Sequence, residues 1–485
     1  MNIYFSDYFK VQPREIDRYG AFNISLLGDL PLFIDPFLLF NSPKQPYQAL
    51  HEEMIRYLRF LRDKSAAGVV QPGLIIAWYR FPEIRQTWLG FSQQTNRGRG
   101  LGAGFAGALN TNLHEVFSDF GKEKVTRSSH LEKLCLIKSG VGRDNISDFT
   151  TNLILGYLCE YTQTFAQKWI DKSLRHKVRV PKVRFNYDTE SWESGSYDLP
   201  WYGGDYVLLV PRDLLTKDDT WINKTDLIAE FAQITTSIPD AALRDQVNNY
   251  FRKILPKKPK QRDEDEAARR TILTYPALID YFIRYKEERG DRATSISAQR
   301  VAESKQLYVE QFGLLAHLLA SDTAFYKVAG NTYDEAHERI AYLKDVIENK
   351  GGHRFFYVKG RSIEREEDIH ILFRFTWFAT TSDVTTEAND GRGPVDFKVS
   401  RGSRDKTLVE FKLAKSKSLR RNLQRQAEIY QKASDARKAI KVIIYFTKQE
   451  RERVDRILKD LKLTGHRDVV LIDARNDNKP AGSKA

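Results

Sequence analysis

The sequence predicts a mixed α/β, multidomain protein. It divides into an α+β amino-terminal domain over 1–255, a linker and helical region over 256–354, and a carboxy-terminal α/β domain over 355–485. Three observations lead to this division. The 485 residues exceed what one ordinary core supports, which points to about two to four domains. The stretch "ILPKKPKQRDEDEAARR", Ile254 to Arg270, interrupts the apolar patterning with prolines and blocks of opposite charge, as an exposed linker running into a helix does. From Phe355 onward the helical spacing gives way to short apolar strands alternating with helices.

The bulk composition narrows the class. With 41% hydrophobic and 29% charged residues the chain is globular rather than disordered. Cys135 and Cys159 have neither CxxC nor paired spacing, so a disulfide framework or zinc site is not expected, and a reducing, cytoplasmic setting fits. The start, "MNIYFSDYFKVQPREID", lacks a basic segment followed by an apolar run, so no secretion signal is expected. The most apolar stretch, "LLGDLPLFIDPFLLF", is broken by Asp29, Asp35 and prolines, whereas a membrane span needs roughly 20 apolar residues. A net charge of +13 makes a polyphosphate the natural partner.

In the first part, "DYVLLVP" (Asp205 to Pro211) reads as a strand and "ISDFTTNLILGYLCEYTQTFAQKWI" as helix. Two glycine-bearing segments stand out there. "NRGRGLGAGFAGALN" contains Gly102-x-Gly104-x-x-Gly107, but no strand precedes it as a dinucleotide loop requires; an Arg/Gly loop touching DNA fits better. "SGVGRDNISDFTTNLI" leads into a helix with Ser147 as the expected N-cap, a possible anion site or simply a well-made helix entry. The middle reads as helices over "YPALIDYFIRYKEER", "SAQRVAESKQLYVEQFGLLAHLLAS" and "YDEAHERIAYLKDVIEN", the last ended by Gly351 and Gly352. The carboxy-terminal part reads as a helix over Ile363–Phe378 and strands near Asp383–Ala388, Pro394–Ser400 and Lys406–Leu413. A helix over Ser416–Ser434, the strand "IKVIIYF", a helix over Lys448–Leu461 and the strand "DVVLID" follow.

Charges inside two of these strands are the chemical signal. In "TLVEFKL", Val409, Phe411 and Leu413 share one face, and Glu410 and Lys412 the other; in "PVDFKVS", Asp396 and Lys398 oppose Val395, Phe397 and Val399. A turn centred on Ser403 pairs Ser400 with Lys406, and therefore Asp396 with Glu410. Opposed residues have Cβ atoms about 4.5–5.5 Å apart, so two carboxylates there repel unless a cation or a proton intervenes. Oxygen ligands with open water positions suit Mg²⁺. Lys412, on the same face, is placed to act on water or on a phosphorane-like transition state. An edge hairpin with a solvated charged face is the plainer alternative. The ExK triplets Glu303–Lys305 and Glu348–Lys350 fall in helical patterns, where residues i and i+2 do not share a face.

"GPVD…VEFK" on consecutive strands, between a helix and a following helix and strand, resembles the PD-(D/E)XK nuclease superfamily over roughly Phe355 to Asp473. The resemblance implies an αβββαβ restriction-endonuclease-like core and metal-dependent phosphodiester hydrolysis. Asp396 and Glu410 would be Mg²⁺ ligands, with Mn²⁺ as a substitute, and Lys412 the catalytic lysine. The proline of the pattern is displaced, because Val395 separates Pro394 from Asp396. Gln426 and Tyr430 form a QxxxY similar to that of RecB-like members; Gln426 would join the catalytic set, while a helix-surface Gln and a core Tyr are the alternative. Many members add an acidic residue from the first helix. Of Glu364, Glu366, Glu367 and Asp368, Glu367 is favoured as a further metal ligand because His370 follows at i+3, although acids also complement a helix start. Nine Lys or Arg lie between Lys412 and Lys438 against Glu428 and Asp435; Arg420, Arg421 and Arg425 are the expected nucleic-acid contacts. The expected activity is a Mg²⁺-dependent DNA endonuclease in bacterial restriction or antiphage defence, acting as a homo-oligomer or as a subunit of a defence complex. The alternative is a non-catalytic nucleic-acid-binding or scaffold protein on a degenerate nuclease fold.

Overall fold

The computed structural model describes residues 3–68, 71–90, 106, 110, 113, 120–137, 141–256, 259–321, 331–377, 382–389, 394–401, 405–424 and 438–479. Within them the chain is mixed α/β, with helices predominating and a five-stranded mixed sheet near its carboxy terminus. No described helix is long and apolar enough to cross a membrane.

In the amino-terminal part, two helices, Arg143–Leu153 and Leu155–Trp169, replace the single long one expected from the sequence. Ser147 is not the N-cap; Gly142 is, with the Asn145 side chain accepting from the Gly142 N–H at 3.0 Å. Ser147 Oγ instead accepts from Ile34 N at 2.9 Å, satisfying a buried backbone group. The expected strand over Asp205–Pro211 shrinks to Asp205–Tyr206. Val207 to Val210 are fully buried, and Leu208 N and Leu209 N donate to Gln86 O and Thr162 Oγ1 rather than to a ladder. The largest element that sequence reading missed is a hairpin of two twelve-residue strands, Arg175–Asn186 and Ser191–Tyr202. The glycine motif over 102–107 lies outside the described residues. Both cysteines are buried free thiols.

The boundaries at 255 and 354 do not separate cores. One apolar cluster joins Tyr57, Phe81, Phe149 and Ile234 to Ile272, Ile279 and Phe282, which lie beyond the linker. The helices Gln261–Thr274 and Ala277–Glu287 are amphipathic, and their apolar stripes must find cover; the preceding 255 residues supply it. Glu287, fully buried, clinches this contact. Its carboxylate accepts from Arg127 N at 2.9 Å and Ser128 N at 3.2 Å and lies 2.9 Å from His130 Nε2.

The helix Thr332–Asn349 (α1) likewise belongs with the sheet rather than with the helical middle. The strands are β1 (Asp383–Asn389), β2 (Pro394–Arg401), β3 (Asp405–Leu413), β4 (Lys438–Tyr445) and β5 (Val469–Asp473). They lie in the order β5-β4-β3-β2-β1, antiparallel across the two hairpins and parallel from β3 to β5. The β2–β3 register pairs Ser400 with Lys406, as the turn centred on Ser403 predicts. α1 covers one face, with Thr332 and Thr407 hydroxyls 2.9 Å apart and Asp473 N donating to Glu348 at 2.7 Å. The helix Glu366–Thr376 (α2) packs on the same side, its Phe373 ring 4.4 Å from that of Phe411. The helix Lys448–Asp460 (α3) covers the other face through Val454, Ile457 and Leu458, against Ile443 and Tyr445.

Candidate active site

The alternation read from the sequence holds: Val409, Phe411 and Leu413 are buried, while Glu410 and Lys412 alternate with them toward the α3 side of the sheet. The β2–β3 ladder ends at Phe397–Val409, one step short of Asp396–Glu410. Beyond that point Phe411 N donates to Asp396 Oδ2 at 2.6 Å, a side chain standing where a strand neighbour's carbonyl would be. The strands therefore part where the charges begin. A pair of strands that splay leaves backbone groups to be satisfied by other means, and Asp396 provides one of them.

The two carboxylates do not confront each other bare, as the pairing argument from sequence assumed. Each has its own cation. Lys412 Nζ lies 3.5 Å from Asp396 Oδ2 and 3.1 Å from Glu366 Oε2. Lys441, directly across the parallel β3–β4 ladder from Glu410, pairs its ammonium with Glu410 Oε2. His370 Nε2 sits 3.1 Å from Asp396 Oδ2 but off the alignment that a hydrogen bond requires. Burial pushes the Asp396 carboxyl up, yet the His370 ring, the Lys412 ammonium and the Phe411 N–H outweigh it and hold the group below the usual carboxylate range. Burial alone would lower Lys412; Asp396, Glu366 and Glu410 reverse that and hold it above the ordinary lysine value.

Lys441 is the residue that sequence reasoning missed, and Glu366 the one it passed over in favour of Glu367. Glu366, the first residue of α2, also accepts from Leu413 N at 3.2 Å, so it binds the end of β3 as well as Lys412. It was one of four acids within the five residues Glu364 to Asp368, and only the helix placement selects it. Glu367 lies on the same helix, with its side chain outside the described residues. Lys441 carried a usable signal: it is the lone charge in the apolar run "IKVIIYF". The start of α2 is fixed from the amino-terminal part, where Lys217 Nζ lies 3.2 Å from Asp368 and Arg365 pairs with Asp218. The expected basic residues Arg420 and Arg421 lie at the start of the following helix, both exposed, and Arg420 pairs with Asp460 at 2.8 Å. Arg425, Gln426 and Tyr430 lie outside the described residues.

Asp396 and Glu410 offer the hard oxygen donors that a Mg²⁺-like ion takes. Neither Asp396 Oδ1 nor Glu410 Oε1 accepts a hydrogen bond from a described residue. Among the described residues, however, no group of three or more His, Cys, Asp or Glu side chains is arranged to hold a metal ion. The donor chemistry fits; the charge compensation by Lys441 stands in its way.

Residues 10–223 match the family described as "Domain of unknown function (DUF8370)", and residues 332–448 match the one described as "Domain of unknown function (DUF8371)". The second match begins at the start of α1, where the sheet's own cover begins, not at Phe355. No curated protein and no solved structure matches the chain.

Proposed function

We propose that this chain is a divalent-cation-dependent nuclease that hydrolyses phosphodiester bonds in DNA, with its chemistry on β2, β3 and the start of α2. The observation that carries the reading is the meeting of Asp396, Lys412 and Glu366 where the β2–β3 ladder opens, with Glu410 on the same face. Asp396 and Glu410 would hold Mg²⁺, or Mn²⁺ in its place, once Glu410 exchanges Lys441 for the metal. Such an ion, when bound, lowers the pKa of a coordinated water and neutralises charge on the scissile phosphate. Lys412 is held as a cation by the carboxylates of Asp396, Glu366 and Glu410, which suits it to offset negative charge on the phosphorane-like transition state and not to take a proton. Glu366 and His370 fix the positions of Lys412 and Asp396. Bacterial restriction or antiphage defence belongs to the same reading, through the family resemblance alone.

The lysine partner of Glu410 favours a second reading, a DNA-binding scaffold whose site no longer cuts: an internal cation there replaces a metal instead of awaiting one. Incubation of the purified chain with plasmid, linear DNA and RNA, in Mg²⁺ or EDTA, separates the two. The nuclease reading expects cutting that needs the cation and is lost in Asp396→Ala, Glu410→Ala and Lys412→Ala. Full cutting by all three variants refutes the site, and no cutting by wild type with any substrate leaves the scaffold.

A further inference from the structure

The first strand of the hairpin that sequence reading missed is strongly basic: Arg175–Asn186 carries five Lys or Arg (175, 177, 179, 182 and 184) and no acid, whereas the turn and second strand carry Asp188, Glu190, Glu193 and Asp198. Strand geometry sorts these charges. Along Arg175–Asn186, Val180 is fully buried, and the helix Leu155–Trp169 backs the hairpin so closely that a Cβ on Gly156 would lie 2.5 Å from Val183 O. Lys177, Arg179 and Pro181 alternate with the residues on that side and are exposed. Their register partners on the second strand are Asp198 for Lys177 and Ser196 for Arg179. Asp198, the one carboxylate in this row, is taken by Arg175. Lys177 and Arg179 are exposed and have no ion-pair partner among the described residues.

We infer that this outward face is a docking surface for the backbone of double-stranded DNA. Alternate strand residues recur every ~6.8 Å, and a duplex carries one negative charge per about 1.7 Å of its axis. Lys177 and Arg179 therefore meet phosphate wherever the ribbon lies along the duplex, and the unpaired cations gain counter-ions only from outside the chain. The Lys177–Pro181 row and its serine neighbours hold no aromatic ring, so the face lacks the stacking platforms that single-strand binders use. A long ribbon held flat against a helix is a rigid element, which suits positioning rather than base reading. The choice of duplex rests on this face; the choice of DNA over RNA rests on the nuclease reading.

The test measures anisotropy of a labelled DNA duplex, in EDTA so that nothing is cut, with the full chain as wild type and as Lys177→Glu/Arg179→Glu. Duplex affinity is expected to fall at least about tenfold, and Lys177→Ala/Arg179→Ala to reduce the slope of log affinity against log salt by about 2. The charge-keeping swap Lys177→Arg/Arg179→Lys should bind as wild type does, and all variants should keep the wild-type melting temperature. Unchanged affinity and slope overturn the proposal, as does a loss confined to single strands or to phosphatidylserine vesicles. Equal loss on an RNA duplex overturns the choice of DNA. The two readings therefore fail separately: absent cleavage with ribbon-dependent binding sinks only the nuclease, and cleavage with ribbon-independent binding sinks only this surface.

Discussion

Asp396→Asn removes one charge from between Lys412, His370 and the Phe411 N–H while keeping the side chain's shape. Two bare carboxylates facing each other would make this change stabilising without metal. The structure reverses that sign, because Asp396 sits among cations and donors rather than beside an unpaired Glu410. The Asp396 and Lys412 side chains are only 13% and 12% exposed, so solvent screens little of their attraction. A hydrogen bond to a charged group contributes about 1.5–3 kcal/mol, and breaking a buried pair costs about 3–5 kcal/mol. Asparagine can still accept from Phe411 N, and Lys412 keeps Glu366 at 3.1 Å, so the loss should be about 2 kcal/mol. With an unfolding entropy of ~2.1 cal/mol/K per residue, and a cooperative unit anywhere from about 150 residues to the whole chain, the midpoint should fall by roughly 2–6 °C. The Asp396 carboxyl is held below its unfolded value, so its stabilisation is present above about pH 3.9 and is lost as pH falls through the lower, folded value. The difference between wild type and variant should therefore be full at neutral pH and vanish only in that acid window. Scanning calorimetry in EDTA, from neutral pH downward, measures both. A variant that melts higher than wild type in EDTA would show that carboxylate repulsion dominates, and the charge pairing described above would be wrong. Mg²⁺ should then raise the wild-type midpoint more than the variant's; equal rises would remove Asp396 from the metal site.

Lys441→Met removes the internal competitor for Glu410. The metal-free protein should melt lower, and the Mg²⁺ concentration that half-saturates the thermal shift should fall about tenfold, the equivalent of about 1.4 kcal/mol; a rise would contradict the exchange. Glu366→Gln keeps the contact to Leu413 N but loses a charge partner of Lys412, and cleavage should drop roughly 10–100-fold, as for other residues that orient a reactive group. Unaltered single-turnover rates would reduce Glu366 to a strand clip. Glu287→Ala leaves two backbone donors and His130 without their buried acceptor, and should cost about 3–5 kcal/mol; a denaturant midpoint within error of wild type would refute that role. A fragment ending at 255 lacks Ile272, Ile279, Phe282 and Glu287, and should give the broad thermal transition and exposed apolar surface of an incomplete core. A sharp two-state melt would restore the linker as a domain boundary.

What the sequence determined by itself was local. The period-two alternation placed Val409, Phe411 and Leu413 inward, and the short "RGSRD" turn set Ser400 against Lys406, because turn length and face alternation together leave one register. Helix and strand limits in the carboxy-terminal part came out within a few residues for the same reason, apart from the end of the helix expected over Ser416–Ser434, which lies outside the described residues. Ser147 misled because Gly142 and Asn145 cap the helix earlier, and either start satisfies the local pattern. Only the tertiary structure decided which charges meet. Lys441 and Glu410 are 31 residues apart, and Glu366 and Lys412 are 46 apart. The first contact exists because a parallel crossover lays β4 beside β3, the second because helix α2 is tied at its start to Lys217 and Asp218. Core sharing across the linker was hidden in the same way. An amphipathic helix announces that one face needs cover, but the chain that provides it is named by packing, and packing is set by the whole fold.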